Sequence, residues 1–236
     1  MSTHRPTLDR NGQLRLHRHH QAGFIQAALL FGIALMTAIL GGFALANRSP
    51  TSQTDVEQAK VNASVILKQG SDLRDGVQRY ATDNGSSAVT STMDFSAVTS
   101  TGLFDVAARY ASPQIMPVSA FASAPTTVNP STSATGGNQA GHWYLNRDIA
   151  GNGLGSSAAD PMVILPNLRQ DVCLRVNRLL YGSTATVPSI TTGNLSDFTS
   201  LSGGAVTMVA ATSGWPEGCV RAQSSEYVYF KTIQEN

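Results

Sequence analysis

Two hydrophobic patterns dominate the first third of this 236-residue chain. The first is continuous: Phe24 to Ala46 is a run of 23 residues without a charge. As a helix at about 1.5 Å per residue it would reach about 34 Å, slightly more than the roughly 30 Å hydrocarbon core of a bilayer. The second is periodic. Val56, Ala59, Ala63, Ile66, Gly70, Leu73, Val77 and Tyr80 recur in alternating steps of three and four, with Leu67 beside them. That is one stripe on an amphipathic helix. Asp55, Glu57, Lys60, Lys68, Asp72, Arg74, Asp75 and Arg79 take its other faces. Thr54 with Glu57 three residues later reads as a capping box, and Asp83-Asn84-Gly85 reads as a stop. The pattern predicts a helix over Thr54–Ala81. Pro50, in the linker 47–53, is expected to kink or interrupt the join to the apolar run, because proline lacks the amide donor.

Beyond this helix the pattern weakens. Residues 85–141 are rich in Ser, Thr, Ala, Gly and Pro and are expected to form loops, with a short helix or hairpin edge at Leu103–Tyr110. Strands are expected at Gly141–Asn146, Pro161–Leu165, Ala205–Ala211 and Tyr227–Ile233, with Cys219–Ala222 pairing nearby. Leu168, Val172, Val176 and Leu179-Leu180 follow helical spacing up to Tyr181, and Gly182 supplies the stop. The order gives an α+β fold: a long N-terminal helix, membrane half plus amphipathic half, packed on an antiparallel sheet. The chain then divides into a basic leader (1–23), a transmembrane helix (24–46), a linker and amphipathic helix (47–84) and an α+β head (85–236).

Charge places these parts relative to a membrane. Arg5, Arg10, Arg15 and Arg18 precede the apolar run, opposed only by Asp9. A basic flank stays in the cytoplasm, so the head is expected to be exported. An ordinary secretory signal has a shorter apolar region and a small-x-small cleavage site, so this run reads as an anchor. The leader holds four of the 16 basic residues and one of the 15 acids, leaving 12 and 14, a formal charge of −2. No basic stripe suggests nucleic-acid binding.

Candidate chemistry is sparse, and neither an enzymatic activity, a cofactor nor a metal is expected. His142 is the sole histidine outside the leader, and no motif sets a nucleophile beside it. His17, His19 and His20 read as part of the basic leader. No paired Cys or His spacing suits zinc. Asp148–Gly153 resembles a calcium loop faintly, but Ala150 stands at a ligand position and Ala159 at the twelfth. It reads as a Gly-rich turn. Gly151-x-Gly153-x-Gly155 lacks the strand–turn–helix context of a dinucleotide site. Asn62, Asn84 and Asn194 begin glycosylation sequons at the frequency expected of a Ser/Thr-rich chain. Ala34, Ala38, Gly42 and Ala46 form a row of small residues at spacing four. Such rows let membrane helices pack closely, although an alanine-rich segment also supplies them.

The junction of leader and apolar run, Gly23-Phe24, resembles the cleavage site of type IV prepilins and pseudopilins. The resemblance implies that a prepilin peptidase cuts after Gly23. Phe24 then becomes a methylated N-terminus, and the apolar helix anchors the subunit before packing into a filament core. One position departs from the family: Ala28 stands where most members carry a glutamate that pairs with a neighbour's N-terminal amine. Gln26 is the nearest polar group and cannot neutralise an amine. This points to a minor, tip or initiating subunit.

Cys173 and Cys219 lie 46 positions apart. An oxidising exported compartment favours a disulfide, whereas a reactive thiol or a metal pair would need partners. Pilin heads carry such a C-terminal disulfide loop, and Gly218-Cys219 followed by Tyr227-Val228-Tyr229-Phe230 resembles their last strands. The expectation is a structural subunit of a type IV pilus or a type II secretion-like filament. Its expected partners are other pilin-like subunits through the apolar helix, the membrane and the prepilin peptidase. Its expected location is the bacterial inner membrane with a periplasmic head, or a surface filament. The rival expectations are a single-pass anchored adhesin or assembly factor and, more remotely, a tethered hydrolase using His142.

Overall fold

Helix α1, Pro50–Asn84, is 35 residues long. The structure, a computed structural model, describes residues 50–95, 101–105, 107, 110–112, 116–123, 140–151, 153–154, 159–182, 186–202 and 206–235. The leader and the run Phe24–Ala46 lie outside them, and with these Gly23, Phe24, Ala34, Ala38, Gly42 and Ala46. Among the described residues no helix is long and apolar enough to cross a membrane.

Pro50 is the first residue of α1. A proline is tolerated there because the first amides of a helix have no partner within it. This corrects one expectation. Thr54 lies inside the helix, so Thr54 and Glu57 do not form a capping box at its start. The expected interruption of the join between the apolar run and this helix falls on 47–49, outside the described residues. The expected stripe is buried from Ala59 through Ala63, Ile66, Gly70, Leu73, Val77 and Tyr80. Val56 is 55 % exposed, a further correction. Asn62, Gln69 and Gly76 join the buried side. The stop acts as expected but three residues later: Gly85 adopts φ 88 and its amide caps Ala81 O at 2.8 Å. Such a φ suits glycine. A short helix, α2 (Ser86–Ser91), follows.

Four strands, β1 (Tyr144–Asn146), β2 (Met162–Leu168), β3 (Glu217–Arg221) and β4 (Tyr227–Thr232), form one antiparallel sheet in the order β1-β2-β4-β3. Helix α3 (Gln170–Tyr181) and the short α4 (Leu195–Thr199) lie between β2 and β3 in the chain. The fold is α+β. The expected strands at 141–146, 161–165 and 227–233 and the expected helix ending at Gly182 are present within a few residues. In β2 the register shifts between Leu165 and Leu168, and Asn167 takes φ 60. Asn tolerates that conformation better than most residues, and Pro166 beside it has no amide to offer the ladder.

Both faces of the sheet are covered. Leu145, Val163, Leu165, Cys219 and Tyr229 belong to a core with Ile66, Leu73 and Val77 of α1 and Val172 and Val176 of α3. Tyr144, Met162, Ile164, Val220, Val228 and Phe230 belong to a second core with Ile149, Ile190, Leu195, Phe198, Val206 and Met208. This is why 162–165 reads as an unbroken apolar run, as a strand buried on both sides does.

The second core also explains a failed expectation. The described part of Ala205–Ala211, from Val206 onward, is not a strand of the sheet. Thr207 makes single bridges to Ala150 and Thr192, and a 3-10 turn spans Ala210–Thr212. Val206 and Met208 bury their side chains over the sheet instead of extending it. The described residues of Leu103–Tyr110 are turns, not a helix or a strand, with Leu103 and Phe104 buried.

Candidate functional site

The β3–β4 hairpin and the two helices that grip it hold the densest polar chemistry among the described residues. The hairpin turns over Ala222–Glu226, with Ser225 at φ 81. Register then sets Glu217 opposite Lys231 and Cys219 opposite Tyr229. Alternation puts these four side chains on the face that packs against the helices.

Lys231 Nζ donates to Glu217 Oε2 and, at 3.1 Å, to Ser71 Oγ of α1. Tyr229 Oη donates to Glu217 Oε1 at 3.2 Å. The Lys231 and Glu217 side chains are only 7 % and 13 % exposed. Burial first, and then the Glu217 charge, push the Tyr229 phenol well above the usual tyrosine range. It therefore stays a neutral donor.

Three successive residues of α1 make this approach possible. Gln69 Oε1 accepts from Trp143 Nε1 at 3.2 Å, and the Trp143 ring meets Tyr229 edge-on at 5.7 Å. Gly70 leaves room: a Cβ there would lie 2.3 Å from Tyr229 Oη. Ser71 takes the lysine.

The outer edge of β3 is closed by α3. Cys173, Asn177 and Tyr181 are spaced by four and share one helix face. Cys173 is disulfide-bonded to Cys219 with Cα atoms 5.4 Å apart. Asn177, fully buried, donates from Nδ2 to Cys219 O at 3.0 Å and accepts from Cys219 N at 2.7 Å. Tyr181 Oη donates to the Glu217 carbonyl and its ring stacks on Trp215 at 4.0 Å. Burial, followed by the nearby Glu217, pushes its phenol up to about 12. Farther along, Arg221 N donates to Pro188 O at 2.8 Å and Ile190 N donates to Arg221 O at 3.0 Å. The outward backbone groups of an edge strand, normally a template for another chain, are thus occupied at Glu217, Cys219 and Arg221.

Of the residues singled out in the sequence, Cys173 and Cys219 are brought together, and as a disulfide. His142 is buried at the entry to β1. Among the described residues no three His, Cys, Asp or Glu side chains converge. The Gly-rich turn after Asp148 is closed by Gly151 N donating to Asp160 Oδ2 at 3.3 Å. Asn62 is buried and its amide donates to Ser119 Oγ at 3.1 Å, so its sequon is not displayed.

Glu217, Lys231 and Asn177 were not singled out in the sequence. Glu217 and Lys231 stand equally far from Ser224, so a hairpin centred there would have paired them. Comparison of the chain with protein-family models, with curated proteins and with solved structures finds no match.

Proposed function

We propose that this chain is a pilin-like structural subunit, of low copy number, in a type IV pilus or type II secretion-like filament. The observation that carries the reading is the Gly23-Phe24 junction between a basic leader and 23 uncharged apolar residues. Two features of the head support it. A long helix lies along an antiparallel sheet, and a disulfide links α3 to the penultimate strand. A disulfide accords with an exported head, because such bonds persist in oxidising compartments.

On this reading the work done is assembly. The peptidase cuts after Gly23, Phe24 is methylated, and the apolar helix moves from lipid to the company of other subunits. Lipid is as apolar as leucine, so the gain comes from close packing, for which Ala34, Ala38, Gly42 and Ala46 supply a small-residue row. Ala28 offers no carboxylate to a neighbour's amine, which limits self-assembly and suits a minor subunit.

Ala28 equally favours a second reading, an anchored adhesin or assembly factor that never enters a filament. Tagged protein expressed in a bacterium carrying a prepilin peptidase tests both. The filament reading expects the tag in sheared filaments, processed after Gly23. Its confinement to the membrane fraction with residues 1–23 intact selects the anchored reading.

A further inference from the structure

The Lys231–Glu217 pair has the makings of a covalent bond. The amine and the carboxylate touch, sit on directly opposed residues of one hairpin, and are almost wholly withdrawn from water. A buried ion pair keeps much of its desolvation cost. Proton transfer from ammonium to carboxylate leaves a neutral amine beside a neutral acid, a nucleophile facing an electrophile. Tyr229 Oη already donates to Glu217 Oε1 at 3.2 Å, where negative charge would gather during attack. Ser71 Oγ accepts a second lysine proton at 3.1 Å, which orients the nitrogen.

We propose that Lys231 and Glu217 condense to an intramolecular amide that closes the β3–β4 hairpin at the end opposite its turn. In the step, Lys231 Nζ attacks Glu217 Cδ. Oε1 takes the electron pair and is held by Tyr229. A proton then passes from nitrogen to Oε2, which leaves as water while the carbonyl re-forms. One C–N bond forms, one C–O bond breaks, nothing is oxidised or reduced, and no co-reactant is needed. Preorganisation of this kind corresponds to effective molarities on the order of 10⁵–10⁸ M. The product is neutral, so the desolvation cost of two charges disappears, and its N–H still points at Ser71. The inference concerns the head alone and does not depend on filament assembly.

Mass spectrometry of the purified full chain, incubated to constant mass, tests it. After reduction, alkylation and trypsin, Lys231 should remain uncut. The peptide Leu179–Arg221 should be joined to Ala222–Asn236, lighter than the two together by one water. Separate peptides ending at Lys231, at full mass, would overturn the proposal whatever the variants do. Glu217→Ala and Lys231→Arg should each abolish the deficit, and a deficit that survives either places the loss elsewhere and defeats the assignment. Tyr229→Phe removes the donor to the developing oxyanion and should slow cross-linking of newly folded protein by about 100-fold.

Discussion

At Gly70 and Asn177 single side chains, one absent and one buried, decide how the helices meet the sheet. A Cβ at Gly70 would collide with Tyr229, which is fully buried and tied to Glu217, so it cannot swing away. Gly70→Val should therefore destabilise the head by about 2 kcal/mol. The helix-propensity gain, well under about 1 kcal/mol for a β-branched residue, does not offset this. The midpoint of urea unfolding reports it. Asn177→Ala leaves the amide and carbonyl of Cys219 without partners in a dry site. Each orphaned group costs about 1–3 kcal/mol, and the same assay should show a larger loss than for Gly70→Val.

Tyr181 adds a pH dependence. Its phenol is raised in the folded protein, so its contribution is complete below the unfolded value of about 10. That contribution falls away as pH climbs through about 12. Melting temperatures should decline across that window, with Tyr229 acting in the same direction, and Tyr181→Phe should make the decline shallower.

Among the elements, α3 and β3 are the pair whose union matters most. The disulfide, the Asn177 clamp and the Tyr181 hydroxyl sit on one helix face and secure consecutive outward positions of β3. In the chain-entropy model, a loop between residues 46 positions apart contributes about 4 kcal/mol. Replacing both Cys173 and Cys219 with alanine should lower unfolding free energy by about that amount. Because it also unlatches α3, it should speed hydrogen exchange in β3 before β2.

The elements were legible to unequal degrees. The α1 stripe could be read because a helix lying on a sheet has one wet side, and its period survives in the sequence from Ala59 to Tyr80. Val56 belonged to the period but not to the contact, since periodicity does not say where the covering core begins. Ala205–Ala211 reads as a strand, yet an apolar-rich run reports only that side chains are buried. It does not separate a strand from an extended cover. Asn177 could not be found, since a polar residue next to an apolar stripe reads as surface until an edge strand is seen to need it. The two cysteines could be paired because they were the only two, while the lysine and glutamate between which the hairpin closes carry no such signature.

Along the whole molecule, a basic leader and an apolar run precede the α+β head in the chain. The absence of a glutamate at position 28 makes a prediction about numbers. On the filament reading proposed above, an unpaired charged amine in an apolar core would cost several kcal/mol per subunit, so that reading expects no long runs of this chain alone. Quantitative mass spectrometry of sheared filaments should find it at a small fraction of a subunit that carries the carboxylate. Dominance of this chain in the filament would mean that Gln26 or another group satisfies the amine.

Whether Gly23-Phe24 is a processing junction is decided by the N-terminal sequence of the protein taken from bacterial membranes. The expected result is a chain starting at Phe24 and carrying a methyl group on its amine. A mature pool that still begins with residues of the leader would contradict it.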